Sequence, residues 1–139
     1  MKRRFKNGTG EKFALAFFLI AGFAVYASGA QELLNKYEKE AGKKFNSAEG
    51  KEFFEKKNAK TEKSCIDCHN RDIKKAGSQK VFFSLFAIEV PALSVSANKE
   101  AFKSSKKAAK EFDNYCEEVW QRVCTAEEKG NMLLYFMEN

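Results

Sequence analysis

Apolar side chains return every three to four residues in three stretches of the chain: Leu33, Leu34, Tyr37, Ala41 and Phe45; Ala108, Ala109, Phe112, Tyr115 and Val119; and Leu133, Leu134 with Tyr135 or Phe136. That spacing is the period of a helix that buries one face. The first stretch predicts a helix from Gln31 to about Phe45, in which Gly42 is a weak point but need not be the end. The second predicts a helix from Ala101 to Trp120, anchored near its start by Phe102. The third predicts a terminal helix from Glu127 to about Met137. It is entered through Thr125-Ala126-Glu127-Glu128, a capping box with Thr125 as N-cap and Glu128 returning the bond. A fourth helix is expected from about Ala48 to Ala59, with Ser47 as N-cap and Glu49 in its first turn. Gly50 and Phe54 lie four apart in it, a small residue beside a large one. The pair fits either a close helix crossing or a simple amphipathic face.

Residues 80–90 resist the same treatment. Val81, Phe82, Phe83, Leu85, Phe86, Ala87, Ile88 and Val90 form an apolar concentration that reads equally as a buried strand or a short helix, and periodicity does not decide. Pro91 closes the run and keeps Val90 extended. Residues 92–98 follow as a loop, while 60–64 and 71–79 are polar connectors with Gly77 as a turn position.

Charge and hydropathy separate the beginning of the chain from the rest. Lys2, Arg3, Arg4, Lys6 and Lys12 precede an apolar run from Phe13 to Ala27, and Ser28-Gly29-Ala30 supplies small residues for cleavage. Residues 1–30 therefore read as a Sec-type signal peptide, and 31–139 as one small domain in the periplasm. The apolar run is short for a bilayer span, so membrane association requires that the segment be retained as an anchor. Of the formal charge of +6, residues 1–30 hold +4. The remaining +2 is spread over interleaved lysines and acids, which leaves no footprint for nucleic acid.

The chemistry centres on Cys65-Ile66-Asp67-Cys68-His69. Two thiols at this spacing reach two haem vinyl groups, and the adjacent imidazole ligates the iron. A redox-active C-x-x-C would need low-pKa thiols, usually in a βαβ setting. A zinc site would have to recruit Cys116 and Cys124. An export signal and a helical chain of this length favour one covalent haem c, for which His69, the only histidine, is the iron ligand. Cys116 and Cys124, left over in an exported protein, are expected to pair with each other. Two haem propionates would bring the domain near neutrality.

The second iron ligand is conspicuous by what is missing. No methionine lies between His69 and Gly130, and Met132 and Met137 fall inside the terminal helix, where packing at a helix crossing is expected. The sixth position is then open or held by a weaker donor: an amide, a lysine or water. The 92–98 loop is expected opposite His69, with Ser94 and Ser96 as hydrogen-bond candidates for a bound ligand. No catalytic residue can be named, which fits an electron-transfer or ligand-binding protein better than an enzyme.

Residues 92–139, above all Asn98, Phe102 and the run from Phe112 through Cys116, Trp120 and Cys124 to Gly130, resemble the small monohaem c-type cytochromes known as Sphaeroides haem protein and its relatives. Residues 33–37 and 47–54 resemble the uncharacterised-domain branch of that group. The resemblance implies an all-α, class I cytochrome c-like fold, with the iron held by His69 and by an asparagine side chain matching Asn98. In that group the asparagine leaves on reduction, so that dioxygen, nitric oxide or a similar diatomic ligand binds, and a dihaem cytochrome c is the implied redox partner. Alternatives are a simple soluble electron carrier and a haem subunit docked to a larger reductase. The chain departs from the group's pattern at Lys99 and Ala101, beside the asparagine, and at Glu111, Asp113 and Asn114, which bears on partner docking more than on the pocket.

Overall fold

A computed structural model of the protein describes residues 28–81 and 86–139. Most of the predicted signal segment lies outside the described residues. Four helices carry the described core: α1 (Ser28–Ala41), α2 (Ser47–Glu55), α3 (Ser105–Trp120) and α4 (Ala126–Glu138). Helix α1 starts earlier than the periodicity predicts, and it buries Ala30, Leu33, Leu34 and Tyr37 on one face. It also ends earlier. Gly42 takes a left-handed φ of 68°, and its N–H bonds the Glu38 carbonyl, closing the helix before Phe45. Glycine meets no steric penalty there, whereas other residues do.

Helix α2 is capped by Asn46, not by Ser47, whose place is the first helical residue. The Asn46 side chain accepts from the backbone N–H groups of Ala48 at 2.9 Å and Glu49 at 3.4 Å. Asparagine and serine serve equally well as caps, so adjacent candidates cannot be ranked from sequence. The helix ends at Glu55, four residues short of the expected Ala59. It crosses α4 at Gly50, where a Cβ would come within 2.0 Å of the Asn131 carbonyl oxygen. Of the two possibilities for the Gly50–Phe54 pair, the close crossing is the one present. Asn131 joins the helices a second time: its Oδ1 accepts from the Asn46 N–H at 2.8 Å, and its Nδ2 donates to Glu49 at 2.9 Å.

Helix α3 begins at Ser105 behind an N-cap from Ser104. A separate 3₁₀ turn, Lys99–Phe102, takes up the start of the expected long helix. Ala108, Phe112, Cys116 and Val119 form its buried stripe. A disulfide joins Cys116 to Cys124 across the turn into α4, and the Thr125–Glu128 capping box is formed in both directions. Each device fixes the start of a short helix that would be marginal alone.

The described residues of the 80–90 run, 80–81 and 86–90, lie in strands that stay at the surface, not in a buried strand or a helix. Strand β1 (Gly77–Val81) pairs antiparallel with β2 (Phe86–Val90), Gly77 opposite Val90 and Val81 opposite Phe86. Phe86 is 64% exposed and Ile88 48%. The apolar side chains of Phe86 and Ile88 thus stand on an exposed two-stranded ribbon, the exposed and half-buried residues of which form no core of their own. From Pro91 the chain returns to the core. The N–H groups of Leu93 and Ser94 both bond the Ile73 carbonyl, and that of Val95 bonds the Phe136 carbonyl, each at 2.9 Å. Among the described residues, no helix is long and apolar enough to cross a membrane.

Candidate haem site

Cys65–Asp67 form a single 3₁₀ turn, and the N–H of His69 continues it by bonding the Cys65 carbonyl at 3.0 Å. The Ser64 N–H bonds the Asp67 carboxylate at 2.7 Å, locking the entry to the turn. The polar approach is pinned to the end of α3, where the Val119 carbonyl accepts from Asn58 Nδ2 and Thr61 Oγ1, both at 2.9 Å. On the far side Gly77 is the first residue of β1 rather than a turn position. A Cβ there would approach the Cys68 carbonyl oxygen to 2.2 Å and the His69 Cα to 2.6 Å. Glycine is needed because the strand lies directly on the motif.

This turn points Cys65, Cys68 and His69 into one cavity of about 640 Å³, walled by Phe54, Leu93, Phe112, Val119, Met132 and Phe136 among others. The His69 ring is 8% exposed, meets Tyr115 edge-on at 5.3 Å and tilts against Phe54 at 6.4 Å. Burial pulls its pKa down, against an opposing effect of the Pro91 carbonyl and the charge of Glu118, which favours the neutral imidazole. Its Nδ1 is buried without a hydrogen bond of good geometry. Burial likewise pushes the Cys65 thiol up to about 12 and raises Cys68.

Those properties discriminate among the chemistries open to a C-x-x-C-H sequence. Thiols raised by burial are poor thiol–disulfide nucleophiles at neutral pH. Zinc loses its extra ligands, since Cys116 and Cys124 are bonded to each other, and no cluster of three or more His, Cys, Asp or Glu suited to a metal ion occurs among the described residues. What remains is two unpaired thiols and a neutral imidazole facing a large, mainly apolar cavity. That donor set fits a covalently attached, flat, apolar macrocycle with a metal at its centre.

Asn98 is placed differently. It lines a second cavity of about 270 Å³, which shares Leu93, Phe112, Tyr115 and Phe136 with the first. Its Oδ1 accepts from the Ala101 N–H at 3.3 Å, and its Nδ2 donates to the Ala92 carbonyl at 2.9 Å. It is thus the N-cap of the Lys99–Phe102 turn. The Ser94 and Ser96 hydroxyls bond each other at 2.6 Å, and neither lines these two cavities. Met132, expected at the helix crossing, is buried and lines the cavity that holds His69. Tyr115 and the Pro91 carbonyl are contributors that the motif does not announce. The one signal for Pro91 was that it is the only proline in the chain.

Comparison with known proteins gives the family and the fold. The model of a family described as a domain of unknown function (DUF1924) matches residues 40–136. Among solved structures, oxidised SHP, described as an oxygen-binding cytochrome c, is 26% identical with a TM-score of 0.67, over 79% of this chain and 96% of that one. Oxidised cytochrome c'' from Methylophilus methylotrophus is 24% identical with a TM-score of 0.68, over 80% of this chain and 94% of its own. A solution structure of the same cytochrome, described in terms of haem-ligand detachment, gives 24% identity and a TM-score of 0.68. The search of curated proteins finds no match.

Proposed function

The chain belongs to the DUF1924 family, a branch of the SHP-like monohaem cytochromes c, and on that premise we propose that it is an exported c-type haem protein which exchanges one electron and, when reduced, takes a diatomic ligand such as dioxygen or nitric oxide. Its fold is the all-α, class I cytochrome c-like one, and the chain also carries the β1–β2 ribbon. The observation that carries the proposal is the convergence of Cys65, Cys68 and the buried His69 on one cavity. Covalently bound there, haem c supplies an iron that changes oxidation state by one electron and accepts small ligands.

In this reading Cys65 and Cys68 hold the macrocycle and His69 Nε2 is the fixed donor. The buried Phe54 and half-buried Tyr115 set the plane of the imidazole and keep water from it. Asn98 is the second, displaceable donor. Its neutral amide oxygen is a hard, weak ligand that suits ferric better than ferrous iron. Two net hydrogen bonds, each worth about 1 kcal/mol, hold Asn98 as a cap. That is a small cost for exchanging one role for the other. We assign no catalytic residue. The periplasm is the proposed compartment, since the basic and apolar amino-terminal segment reads as an export signal. A redox protein, with a dihaem cytochrome c as the donor implied by the family, is the proposed partner.

A second reading, a plain electron carrier, is favoured by one observation: Met132 lines the cavity that holds His69, while Asn98 is engaged as a cap. Carbon monoxide separates the two. Rapid binding to the reduced protein is expected if the site opens, and a reduced spectrum that carbon monoxide leaves unchanged sinks the ligand-binding proposal. Asn98→Ala is expected to change the ferric spectrum with covalent haem retained, and Met132→Leu to leave it unchanged. The reverse pattern favours the electron carrier.

A further inference from the structure

Building on the export signal proposed above, we propose that signal peptidase cuts between Ala27 and Ser28, not after Ala30, so that Ser28-Gly29-Ala30 is the first turn of the mature domain. Both bonds follow an alanine, as the A-x-A-like cleavage pattern asks of the position before the cut. Val25 and Ala27 precede one bond; Ser28 and Ala30 precede the other. The fold distinguishes them.

Residues 28–30 already belong to the domain. Helix α1 runs from Ser28, and Ala30 is fully buried in the main apolar cluster with Leu33, Leu34 and Tyr37. Gly29 packs so tightly on the 3₁₀ turn before α3 that a Cβ would come within 2.2 Å of the Phe102 carbonyl oxygen and 2.7 Å of that of Lys103. Cutting after Ala30 would remove both residues and uncover the surface they seal. Cutting before Ser28 leaves these contacts intact.

The turn also bears on the site. Gly29 and Ala30 brace Phe102, and Phe102 and Asn98 both line the smaller cavity. Loss of residues 28–30 would therefore loosen the segment that carries Asn98.

The test is to express the full-length chain with covalent haem maturation, isolate the haem-loaded protein from the periplasm and from the membrane, and determine its intact mass and amino-terminal sequence. A mature protein beginning at Ser28 is expected. One beginning at Gln31, or at its cyclised pyroglutamate form, overturns the inference and leaves export standing. A haem-loaded chain that keeps its whole amino terminus in the membrane also overturns it with export intact. A cytoplasmic chain without covalent haem overturns the inference together with the export proposal. Ala27→Tyr supplies an independent check, because it leaves Ser28, Gly29 and Ala30 unchanged. It should abolish the cleaved species if the cut follows residue 27, and undiminished processing to Gln31 would reject the site.

Discussion

The two sides of the candidate haem cavity are built to different standards. One side, formed by α2, α3, α4 and the Cys65–His69 turn, is fixed several times over. Its devices are a glycine crossing at Gly50, a disulfide, a capping box, and the Val119 carbonyl that accepts two side-chain bonds from the approach to the motif. The other side, residues 77–81 and 86–102, is a two-stranded ribbon with exposed apolar side chains, followed by a loop that bonds the core through the Ile73 and Phe136 carbonyls. The difference teaches where motion is affordable. Few buried contacts and individually small hydrogen bonds mark a segment drawn from the low-stability end of the molecule, and the donor proposed to leave, Asn98, sits there.

The contrast makes graded predictions. Phe54→Ala, which empties a fully packed position against His69, Tyr135 and Phe136, should cost about 3–5 kcal/mol in urea unfolding of the haem-loaded protein. A cost below about 1 kcal/mol would show that this wall is not the rigid one. Replacing Cys116 and Cys124 together by serine should remove about 2–3 kcal/mol by freeing the unfolded chain, with the haem spectrum retained. Retained stability in that pair of substitutions would remove the disulfide from the list of fixing devices.

On the other side, Asn98→Ala should cost only about 1 kcal/mol, the ordinary value of a cap, while raising the rate or affinity of carbon monoxide binding to the reduced protein. A large stability loss without a ligand effect would invert the comparison.

The smallest effect concerns pH. The Arg122 guanidinium holds the Glu128 carboxyl below its usual value, helped by the backbone bond from Thr125 and opposed by burial. A carboxyl lowered in the folded state stabilises fully above the unfolded glutamate value, and that contribution is lost as pH falls through the folded one. With both partners partly exposed, it is worth at most about 1 kcal/mol. Glu128→Gln should therefore flatten the acid limb of a stability profile slightly and leave the neutral region lower by that amount. An unchanged acid limb would assign the pair no role.

The rigid wall was the legible one. The period of α3, the capping box at Thr125 and the cysteine pair each rest on local chemistry that a sequence displays directly. The ribbon was not legible, because an apolar run of that length is compatible with several structures, and its exposure is decided by which partners are absent from the sheet. Gly77 was misassigned for a related reason: its requirement comes from the motif packed against it, not from its own neighbours in sequence. The helical position of Met132 points to the core, where the structure places it. What the spacing could not show is that the core at that point is also the wall of the cavity. The convergence of the cysteines with His69 was implicit in five residues, whereas the position of Asn98 depends on how 92–102 folds back, which no local pattern encodes.

The junction at Asn131 has a kinetic meaning as well. It bonds Asn46 and Glu49 across 85 and 82 positions of chain, so the contact that seats α2 forms between segments near opposite ends of the domain. Closing so long a loop carries an entropic cost that rises with the logarithm of its length, and distant contacts of this kind slow folding relative to helical bundles with local pairings. Everything between, including Cys65, Cys68 and His69, is enclosed by that closure. Helix α4 supplies Met132 and Phe136 to the wall of the cavity that Cys65, Cys68 and His69 line, so that wall is complete only once the last helix has docked.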